Sequence, residues 1–123
     1  MSRIAIVDDS RLIRAFASGV LRAQGHETVE VEPTSLFQVL KVLHETPVDL
    51  LVLDYLMPDC PGESLVRACR EDTVLRDLPI LMLSAHRDED SLLRLHAMGI
   101  SGFLLKPVDP AGLIGKVEEA LAG

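Results

Sequence analysis

The sequence predicts an α/β fold, with one parallel sheet covered by helices on both faces in a single domain spanning residues 1–123. Two observations predict it. Strand-like and helix-like segments alternate from end to end, with no repeat, linker or low-complexity stretch between them. The run Asp49 to Asp54 is apolar without alternation, as in a central strand buried on both sides.

The elements follow in order. Arg3 to Val7 is a short apolar run that ends in Asp8-Asp9. Ser10 caps a helix whose apolar stripe is Leu12, Ile13, Phe16, Val20 and Leu21, and Gly25 closes it. Glu27 to Glu32 alternates, with Val29 and Val31 set against Thr28, Glu30 and Glu32, and Pro33 breaks it. Thr34 caps a second helix with Leu36, Phe37, Leu40 and Leu43 on one side. After the Asp49–Asp54 strand, the proline- and glycine-containing stretch Met57 to Gly62 is a loop. A helix with Leu65, Val66 and Cys69 inward follows it. Ile80 to Leu83 forms the fourth strand and ends at Ser84; the fourth helix spans about Asp88 to Met98, before Gly99. Gly102 to Leu105 is the fifth strand, ending at Lys106-Pro107. Asp109 and Pro110 start the last helix, with Leu113, Ile114, Val117 and Leu121 on one face.

The net charge of −7, from 12 basic and 19 acidic residues, argues against direct nucleic-acid binding, which needs a basic footprint. No apolar run approaches the roughly 20 residues of a membrane helix, and no signal-peptide layout is present, so the expected location is cytoplasmic. Cys60 and Cys69 read as two ordinary thiols.

In open parallel sheets the ligand site lies beyond the carboxyl ends of the strands. Those ends carry Asp8, Asp9, Asp54, Ser84 and Lys106. Singly, each reads as a cap or turn residue; together they place three carboxylates, a hydroxyl and an ammonium on one rim. Clustered carboxylates repel one another, and Mg²⁺, which prefers oxygen ligands, relieves the repulsion. One carboxylate can then act as a nucleophile, with the ammonium and hydroxyl stabilising a transferred phosphoryl group.

These residues stand in four motifs: Ile4-Ala5-Ile6-Val7-Asp8-Asp9-Ser10; Leu53-Asp54-Tyr55-Leu56-Met57-Pro58 with Gly62; Leu83-Ser84-Ala85; and Phe103-Leu104-Leu105-Lys106-Pro107. In their order and spacing, over essentially the whole chain, the sequence resembles the receiver domain of two-component response regulators. The resemblance implies a flavodoxin-like, doubly wound (βα)5 fold with strand order 2-1-3-4-5. It implies Asp54 as the phosphoacceptor, and Mg²⁺ held by Asp8, Asp9, Asp54 and the backbone carbonyl of Leu56. Lys106 would contact the phosphoryl group, and the Lys106-Pro107 bond would be cis. Ser84 and Phe103 would be the switch pair, and Ala85 would leave room for the phosphoryl group. Leu56 and His86 would tune the phosphoryl lifetime; apolar Leu56 cannot orient an attacking water, so slow to moderate dephosphorylation is expected.

The partners implied are a histidine kinase or histidine phosphotransfer protein, with Arg11 and Arg14 near the rim as docking candidates. The output partner or effector domain is unnamed; it would read the face made by helix four, strand five and helix five, where a homodimer could also form. An aspartyl-phosphate hydrolase is disfavoured, because the general acid expected two residues after the nucleophile is here Leu56. A receiver that binds partners without phosphorylation is disfavoured by the complete residue set.

Overall fold

The computed structural model describes residues 2–57, 60–85 and 89–123. Strands and helices alternate as β1 (Arg3–Val7), α1 (Arg11–Ala23), β2 (Glu27–Val31), α2 (Leu36–Glu45), β3 (Leu50–Asp54), α3 (Gly62–Glu71), β4 (Ile80–Ser84), α4 (Glu89–Ala97), β5 (Gly102–Leu105) and α5 (Pro110–Ala122). The strands form one parallel sheet in the order β2-β1-β3-β4-β5. The chain therefore reverses its winding direction between β1 and β3, and the crevice at their carboxyl ends is the switch point of the sheet. Asp88 and His86 lie outside the described residues.

The two-residue side-chain period of the strands divides the core into two layers. Ile4, Ile6, Leu50, Val52, Leu81 and Leu83 pack with Ala17 and Leu21 of α1 and Leu113, Val117 and Ala120 of α5. Ala5, Val7, Leu51, Leu53, Ile80 and Met82 pack on the other side with Val39 and Leu43 of α2, Leu65, Val66 and Cys69 of α3, and Leu95 of α4. A strand dressed on both faces loses its polar alternation, which is why β3 and β4 are buried along their length and apolar up to their last residues, Asp54 and Ser84. Among the described residues no helix is long and apolar enough to cross a membrane.

Several helix details differ from the sequence expectation. The cap of α2 is Ser35, whose hydroxyl accepts from the Gln38 N–H at 3.1 Å, whereas the Thr34 N–H turns back to the Glu32 carbonyl. The turn closed after Pro33 delays the helix start by one residue. Leu12 is 79% exposed and Phe37 77% exposed, and Phe16 also lies at the surface. α1 meets the sheet through the small residues Ala17 and Ser18 with Leu21, which brings its axis close to β1 and β2. The Ser18 hydroxyl bonds the Thr28 hydroxyl, which also accepts from Arg22 Nε at 2.9 Å. The larger Leu12 and Phe16 are left on the flank facing Pro107 and Val108. On α5 the buried line is Leu113, Val117 and Ala120; Ile114 and Leu121 are half-buried.

The end of the sheet opposite the crevice is tied by one guanidinium. Arg70, in the last turn of α3, donates from Nε to the Met98 carbonyl (2.9 Å) and from Nη2 to the Gly99 carbonyl (2.9 Å). Its Nη1 donates to the carbonyls of Leu78 (2.9 Å) and Arg76 (3.1 Å). The end of α4, where Gly99 adopts φ +81°, is thus joined to the turn entering β4.

Candidate functional site

Parallel registration brings the strand ends level: Val7 lies beside Leu53, Asp54 beside Leu83, and Ser84 beside Leu105. The alternation that turns Ile4, Ile6, Leu50, Val52 and Leu104 toward α1 and α5 reaches Asp8, Asp54 and Lys106 at the next position of each strand. Sequence parity therefore aims these three at a common point.

Local chemistry fixes each one. Asp8 Oδ1 accepts from the Ser10 N–H at 2.8 Å, and Ser10 Oγ accepts from the Ile13 N–H at 3.2 Å. Short polar side chains thereby form the β1–α1 turn and cap α1. The Tyr55 N–H donates to the Leu83 carbonyl, holding the chain beside β4 just past Asp54. α3 begins directly against this backbone: a Cβ on Gly62 would lie 2.6 Å from the Asp54 carbonyl oxygen and 2.9 Å from Tyr55 Cα. Glycine is required there by close approach. The Lys106 N–H donates to the Ser84 carbonyl at 2.8 Å, and the Lys106–Pro107 peptide is cis.

At the centre, Lys106 Nζ stands 3.1 Å from Asp8 Oδ2 and 3.0 Å from Asp54 Oδ1. Asp8 and Asp54 are buried and Asp9 is exposed; each offers a carboxylate oxygen, and these atoms lie within 4.8 Å of one another. Burial, with the nearby Asp8 and Asp9 charges, raises the Asp54 carboxyl to about 6 against the opposing pull of Lys106. Burial lowers the Lys106 pKa, but its bonds to Asp54 and Asp8 outweigh this and leave it raised. Asp8, Asp9 and Asp54 offer three hard carboxylate oxygens close enough together to hold a divalent metal ion, with Lys106 competing for two of them.

Ser84 is buried at the end of β4, and Phe103 is half-buried against the α3/α4 layer. With Met82 paired to Phe103 and Ser84 to Leu105, Ser84 and Phe103 are diagonal neighbours on one face of the sheet. Leu56 is 55% exposed beside Asp54. Ala85 is exposed at the rim. His86 lies outside the described residues. Cys60 and Cys69 are buried free thiols, and burial pushes Cys69 up to about 11, which keeps it protonated. Arg11 is exposed, but Arg14 folds inward, its Nη1 donating to the Asp8 carbonyl at 2.6 Å. That contact spans six residues, and the side-chain patterns readable in sequence do not reveal it.

The model of the response regulator receiver domain matches residues 4–118, and the chain belongs to that family. It is 34% identical over 117 residues to the chemotaxis protein CheY of Pseudomonas aeruginosa, covering 95% of this chain and 94% of that one. It is 32% identical to the phosphate regulon transcriptional regulatory protein PhoB of the same species, covering 96% of this chain but 51% of PhoB. The chain thus spans about half the length of the PhoB relatives it matches. Among solved structures, the Vibrio cholerae chemotaxis protein CheY4 superposes with a TM-score of 0.90 at 28% identity, covering 98% of this chain and 99% of that one. The fold is the flavodoxin-like fold of CheY, and the chain is a response regulator receiver domain of two-component signalling.

The raised Asp54 pKa has a sign that can be tested. An acid whose folded pKa lies above its unfolded value penalises folding once it ionises. The penalty is absent below about pH 4, grows as pH rises, and is complete above about pH 6. Asp54→Asn therefore raises the thermal midpoint in chelator by several degrees at about pH 8, and the gain shrinks toward pH 4. Melting curves of both proteins across that range check it; a gain independent of pH would show that ionisation of Asp54 is not its source.

Proposed function

We propose that this receiver is switched by phosphorylation of Asp54, taking the phosphoryl group from a histidine kinase or histidine phosphotransfer protein. The observation that carries this reading is Lys106 Nζ bridging Asp8 and Asp54 beside a third carboxylate, Asp9, at the switch point of the sheet. Asp8, Asp9, Asp54 and the Leu56 carbonyl would hold Mg²⁺, which screens the attacking carboxylate from the phosphoryl charge.

The rest follows from the chain's own groups. With its pKa at about 6, Asp54 is mostly ionised at neutral pH yet more basic than an exposed aspartate, which suits a nucleophile. Its oxygen forms the new bond to phosphorus as the bond to the donor breaks. The Lys106 ammonium already lies against Asp54, so it meets the phosphoryl oxygens with little movement. The Ser84 hydroxyl donates to one of those oxygens. Drawing Ser84 toward the site opens space beside β5 for Phe103, its diagonal neighbour, to turn inward. The α4–β5–α5 face then changes, because the phosphoryl group bonds one arrangement better than the other. On α4, Leu93 is exposed, and with Leu92 and Glu89 it borders a shallow groove of about 280 Å³. The setting is the cytoplasm, where the phosphodonor is made.

The test is intact mass after incubation with acetyl phosphate and Mg²⁺. The wild type gains one phosphoryl group and Asp54→Asn gains none; an adduct on both would place the acceptor elsewhere. Leu56 presents only an apolar side chain at the rim, so spontaneous loss of the phosphoryl group is slow to moderate. Leu56→Asn, which can orient a water, speeds that loss severalfold; an unchanged decay rate would remove Leu56 from the rate-tuning set.

A further inference from the structure

Arg14 does something its place in the helix does not explain. It lies at the N-terminal end of α1, where a cation opposes the helix dipole and where the first turn holds no acidic residue. Its guanidinium turns back over the β1–α1 turn, and Nη1 donates to the Asp8 carbonyl at 2.6 Å. That carbonyl belongs to the Asp8–Asp9 peptide. The Asp8 side chain is held separately, by the Ser10 N–H and by Lys106 Nζ. Asp9 differs: it is exposed, and no donor among the described residues contacts its carboxylate. The Asp8–Asp9 peptide fixes the Asp9 backbone nitrogen and so helps to place the root of the side chain whose carboxylate lies within 4.8 Å of those of Asp8 and Asp54, and Arg14 is the side chain bonded to that peptide's carbonyl. By binding the carbonyl, the guanidinium leaves the carboxylate oxygens open.

We infer that Arg14 is a positioning residue for the metal centre: its bond to the Asp8 carbonyl holds the Asp8–Asp9 peptide so that the Asp9 carboxylate faces Asp8 and Asp54. This rests on the reading of those three carboxylates as a Mg²⁺ site. Positioning and plain electrostatics predict opposite signs. If Arg14 acted only as a nearby charge, removing it would make the site more negative and tighten Mg²⁺ binding. If it positions Asp9, removing it weakens binding, and loss of a group that orients a metal ligand typically costs on the order of tenfold in affinity.

The experiment is calorimetric titration of Mg²⁺ into the wild type, Arg14→Met and Arg14→Lys, each first shown to be folded by its melting curve in chelator. The expected result is a dissociation constant about tenfold higher for Arg14→Met. Arg14→Lys, with a single donor able to reach the carbonyl, falls between it and the wild type. Binding by Arg14→Met as tight as, or tighter than, the wild type overturns the inference while the metal site stands. If Arg14→Met does not fold, Arg14→Lys decides: weaker binding supports positioning, and wild-type affinity overturns it. A wild type that takes up no Mg²⁺ overturns the metal-site reading and this inference together.

Discussion

Lys106→Met lowers the rate of phosphoryl uptake from acetyl phosphate by about 100-fold, the usual cost of removing one preorganised donor from a developing anion. The same substitution tightens Mg²⁺ binding. Both effects come from one geometry. Lys106 Nζ occupies the space between Asp8 Oδ2 and Asp54 Oδ1, at 3.1 and 3.0 Å. There it opposes a second cation, yet it is the ammonium placed to meet the phosphoryl oxygens. Removing it also deletes the interaction that holds the Asp54 pKa down, so that pKa rises further. In chelator, the variant then goes on losing stability as pH rises above about 6, where the wild-type loss is already complete. Single-turnover uptake followed by mass, with Mg²⁺ titrations beside it, checks both effects. Uptake at the wild-type rate would take Lys106 out of the chemistry.

Arg70→Met destabilises the fold by about 3 kcal/mol, lowering the thermal midpoint on the order of 10 °C. One planar guanidinium satisfies carbonyls in two separate turns, those of Met98 and Gly99 and those of Arg76 and Leu78. The first two lie at the C-terminal end of α4, where helix carbonyls lack partners of their own. Arg70→Lys keeps the charge but cannot span both turns, so it recovers less than half of the loss. Denaturant unfolding of the three proteins is the measurement. Full recovery by lysine would mean that charge, and not the fork of donors, matters there. The site lies at the opposite end of the sheet, so phosphoryl uptake by folded Arg70→Met stays near the wild-type rate.

The recognisable parts of this chain are those with a short period or a local mechanism. The β3 and β4 runs lack polar alternation because both faces are covered, and that absence reads directly as buried parallel strands. Asp109 with Pro110 and Ser10 mark helix starts because each cap bonds a backbone N–H only three residues away. Gly25 and Gly99 mark helix ends because each takes a positive φ. Asp8, Asp54 and Lys106 were legible as a set because parallel strands bring all carboxyl ends to one edge. What the sequence misread was decided over longer distances. Leu12 and Phe16 share a helical period with core residues, but the small Ala17 and Ser18 of α1 set the line of contact with the sheet, and on α2 the buried line runs through Val39 and Leu43 and leaves Phe37 outside. Thr34 and Ser35 are equally good caps by composition, and the turn after Pro33 chose between them.

The sequence by itself determined the order of elements, the two-layer core and the residues that ring the crevice, because periodicity and capping act within a few residues. Only the tertiary structure decided how the charges there are arranged. Lys106 bridges Asp8 and Asp54 across 98 and 52 residues of chain, and Arg14 turns from an expected docking surface onto the Asp8 carbonyl. The physical reason is that a charge's partners depend on burial and direction, which the packing of the sheet and its helices creates and which no local pattern encodes.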